Sequence, residues 1–196
     1  NTAQNIYIYP VANVEQTYKE NELAFASFVT PDGSYYTTPN NVAGLTNGYT
    51  IEQYGDTYLL IANTQGELPN YISFSSRSEM TKVKFNDDTL NALTSMENSL
   101  RGCNNLKGSP VCGDNVTNMS NAYYNCKNIT GTAACGPNVT SMVRAYMNCT
   151  NLTGDPVVGP NVVNMSYAYY GCPNIYGNTY IYYPNFNSDT FEYAFP

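Results

Sequence analysis

The sequence predicts an α/β solenoid, with a parallel sheet on one face of the stack and short helical turns on the other, preceded by a mostly-β cap or domain. The first observation behind this is that Cys103, Cys126, Cys149 and Cys172 recur at one fixed interval. The second is that apolar columns keep the same phase: Met96, Met119, Met142 and Met165; Leu93, Val116, Val139 and Val162; Leu106, Ile129, Leu152 and Ile175. The third is that Asn105, Asn128, Asn151 and Asn174, and Gly108, Gly131, Gly154 and Gly177, keep it too. A period of roughly 20 to 50 residues means one supersecondary unit per repeat, which hides its apolar face only by stacking on its neighbours.

Within one unit, Thr132-Ala-Ala-Cys135 between Gly131 and Gly136-Pro137-Asn138 reads as a short strand with its turn. Val139 to Met147 has apolar residues at spacings of three and four, which predicts a single helical or 3₁₀ turn. Four full coils are expected within a solenoid over 80–177, with Val83 and Phe85 in the strand phase of a partial coil. Residues 178–196 form an atypical last coil that has gained residues and lost its cysteine. Residues 1–79 form the β-rich cap or domain. In it Leu23 to Val29, Pro31-Asp32-Gly33 and Tyr35 to Thr38 predict a hairpin, and Asn47-Gly48 predicts a turn before Tyr49 to Tyr54. Tyr58 to Ala62 reads as a buried strand, and Asn5-Ile-Tyr-Ile-Tyr-Pro10 echoes Asn178 to Pro184, as a solenoid-like strand would.

The order Pro-Asn-Val-x-x-Met-x-x-Ala-Tyr-x-x-Cys-x-x-Leu, seen from Pro137 to Leu152 and with Ile175 closing the copy from Pro160, resembles the bacterial leucine-rich repeats of the BspA type. That family usually carries Ala-Phe where this chain has Ala122-Tyr123, Ala145-Tyr146 and Ala168-Tyr169, and the first copy departs further with Ser99-Leu100. The resemblance covers roughly residues 86–177. It implies a leucine-rich-repeat solenoid of the kind found in bacterial surface proteins, in some parasitic protists and in phage proteins.

Composition narrows the chemistry. Charged residues are 12% of the chain, the net charge is −7, and the 8 Lys and Arg are scattered, so no clustered basic face exists for nucleic acid. No apolar run approaches the ~20 residues needed to cross a bilayer, so no membrane insertion is expected. The chain starts at Asn1 without a methionine and without a basic-then-apolar leader, as expected of a processed product or a piece of a longer polypeptide. Histidine is absent, which removes Ser-His-Asp and Cys-His nucleophile pairs and histidine metal sites. A carboxylate pair is still chemically able to hydrolyse glycans, but Asp114 and Asp155 occupy different phases of the repeat, and Asp87-Asp88 and Glu20 with Glu22 lie in polar, turn-like sequence. No catalytic residue, metal site or cofactor is therefore assigned.

The cysteine column reads as buried thiols packed beside Met and Leu, with an inter-coil bridge such as Cys112 to Cys135 as the alternative. The Asn column reads as turn-capping side chains bonded along the stack. The sequons at Asn115, Asn118, Asn128, Asn138, Asn148, Asn151 and Asn164 are then mostly by-products of the repeat. Tyrosine is abundant, 20 residues against no Trp. Tyr123, Tyr146 and Tyr169 are expected in the core. Arg101, Tyr124, Met147 and Tyr170, two positions before each cysteine, point outward. Tyr124, Tyr170, Tyr180 and Tyr182 are thus candidates for an aromatic binding edge, against the alternative that Tyr merely favours strands. Together these readings predict a non-catalytic extracellular or cell-surface module for adhesion, recognition or assembly. Its partner would be a protein or glycan on a host or neighbouring surface, with self-assembly through the solenoid ends. A phage virion fibre, decoration or host-attachment protein is the second reading, and a carboxylate-dependent glycan-processing enzyme the third.

Overall fold

The structure, a computed structural model, describes residues 6–7, 18–19, 23–29, 42–45, 49–54, 57–62, 68–176 and 188–196. In the N-terminal part, β1 (Ile6–Tyr7) pairs antiparallel with β2 (Tyr18–Lys19). Next come β3 (Leu23–Val29), β4 (Tyr49–Tyr54), β5 (Thr57–Ala62) and β6 (Lys82–Phe85), which form one antiparallel sheet in the order β4-β5-β3-β6.

Three expectations change here. Ile6-Tyr7 was expected on a solenoid-like strand, but its partner is the antiparallel Tyr18-Lys19 rather than a parallel coil. Both edges of β3 are taken by β5 and β6, while the other arm of the expected hairpin, 35–38, lies outside the described residues. Val83 and Phe85 belong to β6 and lie antiparallel against Phe28 and Ala26, so the sheet crosses the expected boundary at 79/80. Tyr54 opposes Thr57, which leaves the two residues Gly55-Asp56 to join β4 to β5.

After β6 comes α1 (Asp87–Ala92), where a polar turn was expected. Asn86 starts it: its side chain accepts a 2.7 Å bond from Thr89 N, and Asp87 and Asp88 sit in the first turn, where carboxylates suit the unpaired amides.

Along the repeats, parallel bridges run in one series through Tyr71, Ser95, Asn118, Ser141 and Asn164. The backbone between these bridges divides its amides in a fixed way. Met119, Asn121, Tyr123 and Asn125 donate to Ser141, Val143, Ala145 and Met147, each one position short of a full repeat ahead, at 2.8–2.9 Å. The intervening Ala122, Tyr124 and Cys126 donate to Met119, Asn121 and Tyr123 within their own coil. Met96 to Gly102 and Met142 to Asn148 repeat this alternation. Met165, Tyr167 and Tyr169 repeat it as well, but reach three positions further along the chain, to Thr190, Glu192 and Ala194. On the opposite run, Thr130, Thr153 and Tyr176 donate back to Gly108, Gly131 and Gly154.

The expected helical turn is therefore a chain of overlapping three-residue turns. Left-handed residues interrupt it at Asn98, Asn121, Arg144 and Tyr167 (φ 52° to 58°), and at Gly102, Asn125, Asn148 and Gly171 (φ 61° to 75°). Two left-handed residues in each regular coil accompany this alternation, and the outward amides include both of them, Asn121 and Asn125 for example. An α-helix would keep those bonds to itself.

The stretch that reads as a strand from sequence uses a different fastening. Tyr146 Oη donates to Ala134 O at 2.6 Å and accepts from Ala134 N at 3.0 Å. Tyr123 does the same with Val111, and Tyr169 with Val157. Each phenol thus satisfies both backbone groups of a residue in the preceding run of its own coil, a tie that Phe would not make. The rings stack at 5.3 and 5.5 Å with planes 7° and 5° apart, and all three are buried. Close approach decides a neighbouring position: a Cβ on Gly136 would stand 2.6 Å from Gly113 O.

Tyr146→Phe keeps the ring stack and removes only the hydroxyl, leaving Ala134 N–H and C=O without their partner. The expected loss is about 1–3 kcal/mol, read as a lower urea midpoint with an unchanged m-value. An unchanged midpoint would show that the tie contributes nothing.

Candidate functional site

Met96, Met119, Met142 and Met165 and Cys103, Cys126, Cys149 and Cys172 are all fully buried. Each of these thiols also donates to a backbone carbonyl of the preceding coil: Cys103 to Phe74, Cys126 to Leu100, Cys149 to Tyr123 and Cys172 to Tyr146, at 2.9–3.2 Å. All six cysteines are free, including the half-buried Cys112 and Cys135. Burial pushes Cys103 up to about 12 and Cys172 up to about 11, and it raises Cys126 and Cys149 as well. A thiol held neutral in this way is a poor nucleophile and a poor metal ligand. Among the described residues no group of three His, Cys, Asp or Glu is placed to hold a metal ion. Nor is any helix among them long and apolar enough to cross a membrane.

Asparagine side chains run along the stack. Asn115, Asn138 and Asn161 donate to Asn91, Asp114 and Pro137 carbonyls, and Asn128 and Asn174 to Asn104 and Thr150, at 2.7–2.9 Å. Their amide nitrogens serve the neighbouring coil.

Two adjacent columns carry Arg and Tyr side chains, of which Arg101, Arg144, Tyr170 and Tyr193 are exposed and Tyr124 and Tyr167 half-buried, while Tyr176, at 72% the most exposed aromatic among the described residues, lies outside both. One is Arg101, Tyr124, Met147 and Tyr170. The other is the left-handed column Asn98, Asn121, Arg144 and Tyr167, continued after a three-residue insertion by Tyr193 at φ 47°. The Arg101 guanidinium lies 5.4 Å from the Tyr124 ring, and Arg144 lies 5.7 Å from Tyr167. Tyr167 stacks on Tyr193 at 5.2 Å, and Tyr170 meets both edge-on, at 5.7 Å from Tyr167 and 6.2 Å from Tyr193. Tyr170 is 44% exposed and Tyr193 59%. The result is a cationic and aromatic strip with Arg101 and Tyr124 at one end and Tyr193 at the other.

Of the residues expected on an aromatic edge, Tyr170 joins the Tyr167–Tyr193 group, and Tyr124 pairs with Arg101. Tyr180 and Tyr182 lie outside the described residues. Sequence reasoning missed Arg144, Tyr167 and Tyr193. The first two share a column five positions before each cysteine that was open to inspection. Tyr193 is hidden by the insertion.

Compared with protein-family models, with curated proteins and with solved structures, the chain matches none.

The thiols generate a pH prediction. Their folded pKa lies above the unfolded value of about 8.5, so the unfolded chain releases protons first. Stability is full below about pH 8.5 and falls as pH rises toward the folded values. Buried Tyr123 and Tyr146, also raised by desolvation, add to the fall above about pH 10. Urea midpoints should be flat from about pH 7 to 8.5 and decline above pH 9. Ellman's reagent should label Cys103, Cys126, Cys149 and Cys172 only after denaturation. Prompt labelling of these four in the native protein would contradict this account.

Proposed function

We propose that this chain is a non-catalytic recognition module, a leucine-rich-repeat solenoid of the BspA kind displayed outside the cell. In this reading it binds a protein or glycan through the strip formed by Arg101, Tyr124, Arg144, Tyr167, Tyr170 and Tyr193. One observation carries the reading. The left-handed column takes Asn at positions 98 and 121, a residue type that tolerates positive φ, but Arg144, Tyr167 and Tyr193 further along. A bulky residue in that conformation costs on the order of 1–3 kcal/mol. Three of the six strip residues, Arg144, Tyr167 and Tyr193, bear this strain, so the cost falls where a contact surface would need large side chains.

The chemistry of the strip supports contact rather than turnover. Tyr supplies large area with few rotatable bonds and a polar tip, and Arg over a ring presents a flat face to a carbohydrate or peptide. The sequence has no histidine to serve as a general base at neutral pH.

Tyr167→Asn, Tyr193→Asn and Tyr170→Ser combined should hold or raise the urea midpoint, because Asn relieves the left-handed positions. The same variant should lose at least about tenfold in affinity. Binding is read on arrays of glycans and of immobilised extracellular proteins. Equal binding by parent and variant would place the interface elsewhere, and release of product from any arrayed glycan would overturn the non-catalytic reading.

A further inference from the structure

Three tyrosine rings meet on the outside of the last two coils. Tyr167 and Tyr193 lie face to face, with planes 29° apart. Tyr170 meets Tyr193 edge to face, at 6.2 Å and 84°. Tyr170 and Tyr193 are exposed, while Tyr167 is half-buried. The core tyrosines stand in contrast: Tyr123, Tyr146 and Tyr169 are enclosed, their neighbouring planes are 7° and 5° apart, and their hydroxyls are tied to backbone. The sequence has no Trp, and Cys103, Cys126, Cys149 and Cys172 are fully buried. An oxidant that reaches this surface therefore meets phenols.

We infer that Tyr170 and Tyr193 form a site of oxidative cross-linking, where a one-electron oxidant of the peroxidase class, supplied with hydrogen peroxide, joins the two rings as a dityrosine and so bonds the last coil to the one before it. Each phenol gives up one electron and its hydroxyl proton. The two phenoxyl radicals couple through a ring carbon beside each oxygen, and the hydrogens those carbons carried move to the oxygens and restore the hydroxyls. One hydrogen peroxide takes up the two electrons and two protons and leaves as two waters.

Geometry selects the pair. The new bond joins ring edges, and an edge-to-face contact already turns an edge of one ring toward the other. Tyr167 and Tyr193 present faces instead. Tyr170 also meets Tyr167 edge-on, at 70°. Arg144 lies 5.7 Å from the Tyr167 ring, however, and a cation at that distance opposes removal of an electron. Proximity sets the outcome, because groups held together on one chain meet at an effective concentration on the millimolar scale. At about 1 µM protein, coupling within a chain then outruns coupling between chains by about a thousandfold. The cross-link forms whether or not the strip binds a ligand.

The full-length chain at about 1 µM, dilute enough to favour coupling within a chain, is treated with a peroxidase and hydrogen peroxide. The monomer should become lighter by two hydrogen atoms and gain the fluorescence of dityrosine. Cleavage before Asp155 and Asp189 puts Tyr170 and Tyr193 in separate peptides, so tandem mass spectrometry should find 155–188 joined to 189–196 through these two rings. Oxygen uptake by half-buried Met147 adds mass and is told apart by that sign. Tyr170→Phe and Tyr193→Phe keep a ring at each place and should each lose the product, whereas Tyr167→Phe should retain it. The cross-linked monomer should unfold at a higher urea midpoint, since the bond closes a loop in the unfolded chain. Chains joined only to one another, with no lighter monomer, would overturn the site. A lighter monomer from folded Tyr193→Phe would overturn it too. Survival of the product in Tyr170→Phe but not in Tyr167→Phe would overturn the choice of pair. Where a Phe variant does not fold, the parent's peptide map decides, and a bond at any other pair of rings overturns the assignment. An unchanged urea midpoint would overturn the fastening of the last coil.

Discussion

Each amide along a coil must find an acceptor, and here the acceptors alternate between the residue's own coil and the next one. The alternation at Met119 to Cys126 recurs in the neighbouring coils, with inter-coil bonds of 2.7–3.0 Å and within-coil bonds of 2.9–3.3 Å. It ties the coils together by backbone bonds that do not depend on side-chain identity, so the stack tolerates Arg, Met, Tyr and Asn on its outer columns. Side chains then add what the backbone leaves open. Thiols bond to carbonyls of the previous coil, Asn amides bond along the edge, and phenol hydroxyls fasten the opposite run of their own coil.

Along the regular coils the same alternation is accompanied by positive φ at two points. One of these columns uses only Gly and Asn, the residues for which that conformation is cheap. The other accepts Arg144, Tyr167 and Tyr193. Strain borne at one column and avoided at its neighbour is a choice of sequence rather than a demand of the backbone. It connects the fold to the cationic and aromatic strip.

Some departures from the sequence reading have clear physical origins. Val139 to Met147 shows spacings of three and four because overlapping turns, like a helix, bring residues of that separation to one face. Periodicity alone cannot separate the two, and the Asn or Gly just before each cysteine was the available sign of a left-handed position. Lys82 to Phe85 alternates as a strand on either kind of sheet, and only its pairing with β3 decides that it lies antiparallel. Asn86 followed by two aspartates was a helix start open to reading, outweighed by the polar, turn-like look of the segment.

By itself the sequence determined the repeat length and the columns of Met, Cys, Val and Ala, because recurrence along the chain is a one-dimensional property. The tertiary structure alone decided what meets in space: the phenol hydroxyls on the backbone of the opposite run, and Tyr193 on Tyr167 despite the insertion. Those contacts depend on which carbonyl each outward amide selects. That register, one position short of a repeat in the regular coils and three positions longer at the last, exists only once the coils lie side by side.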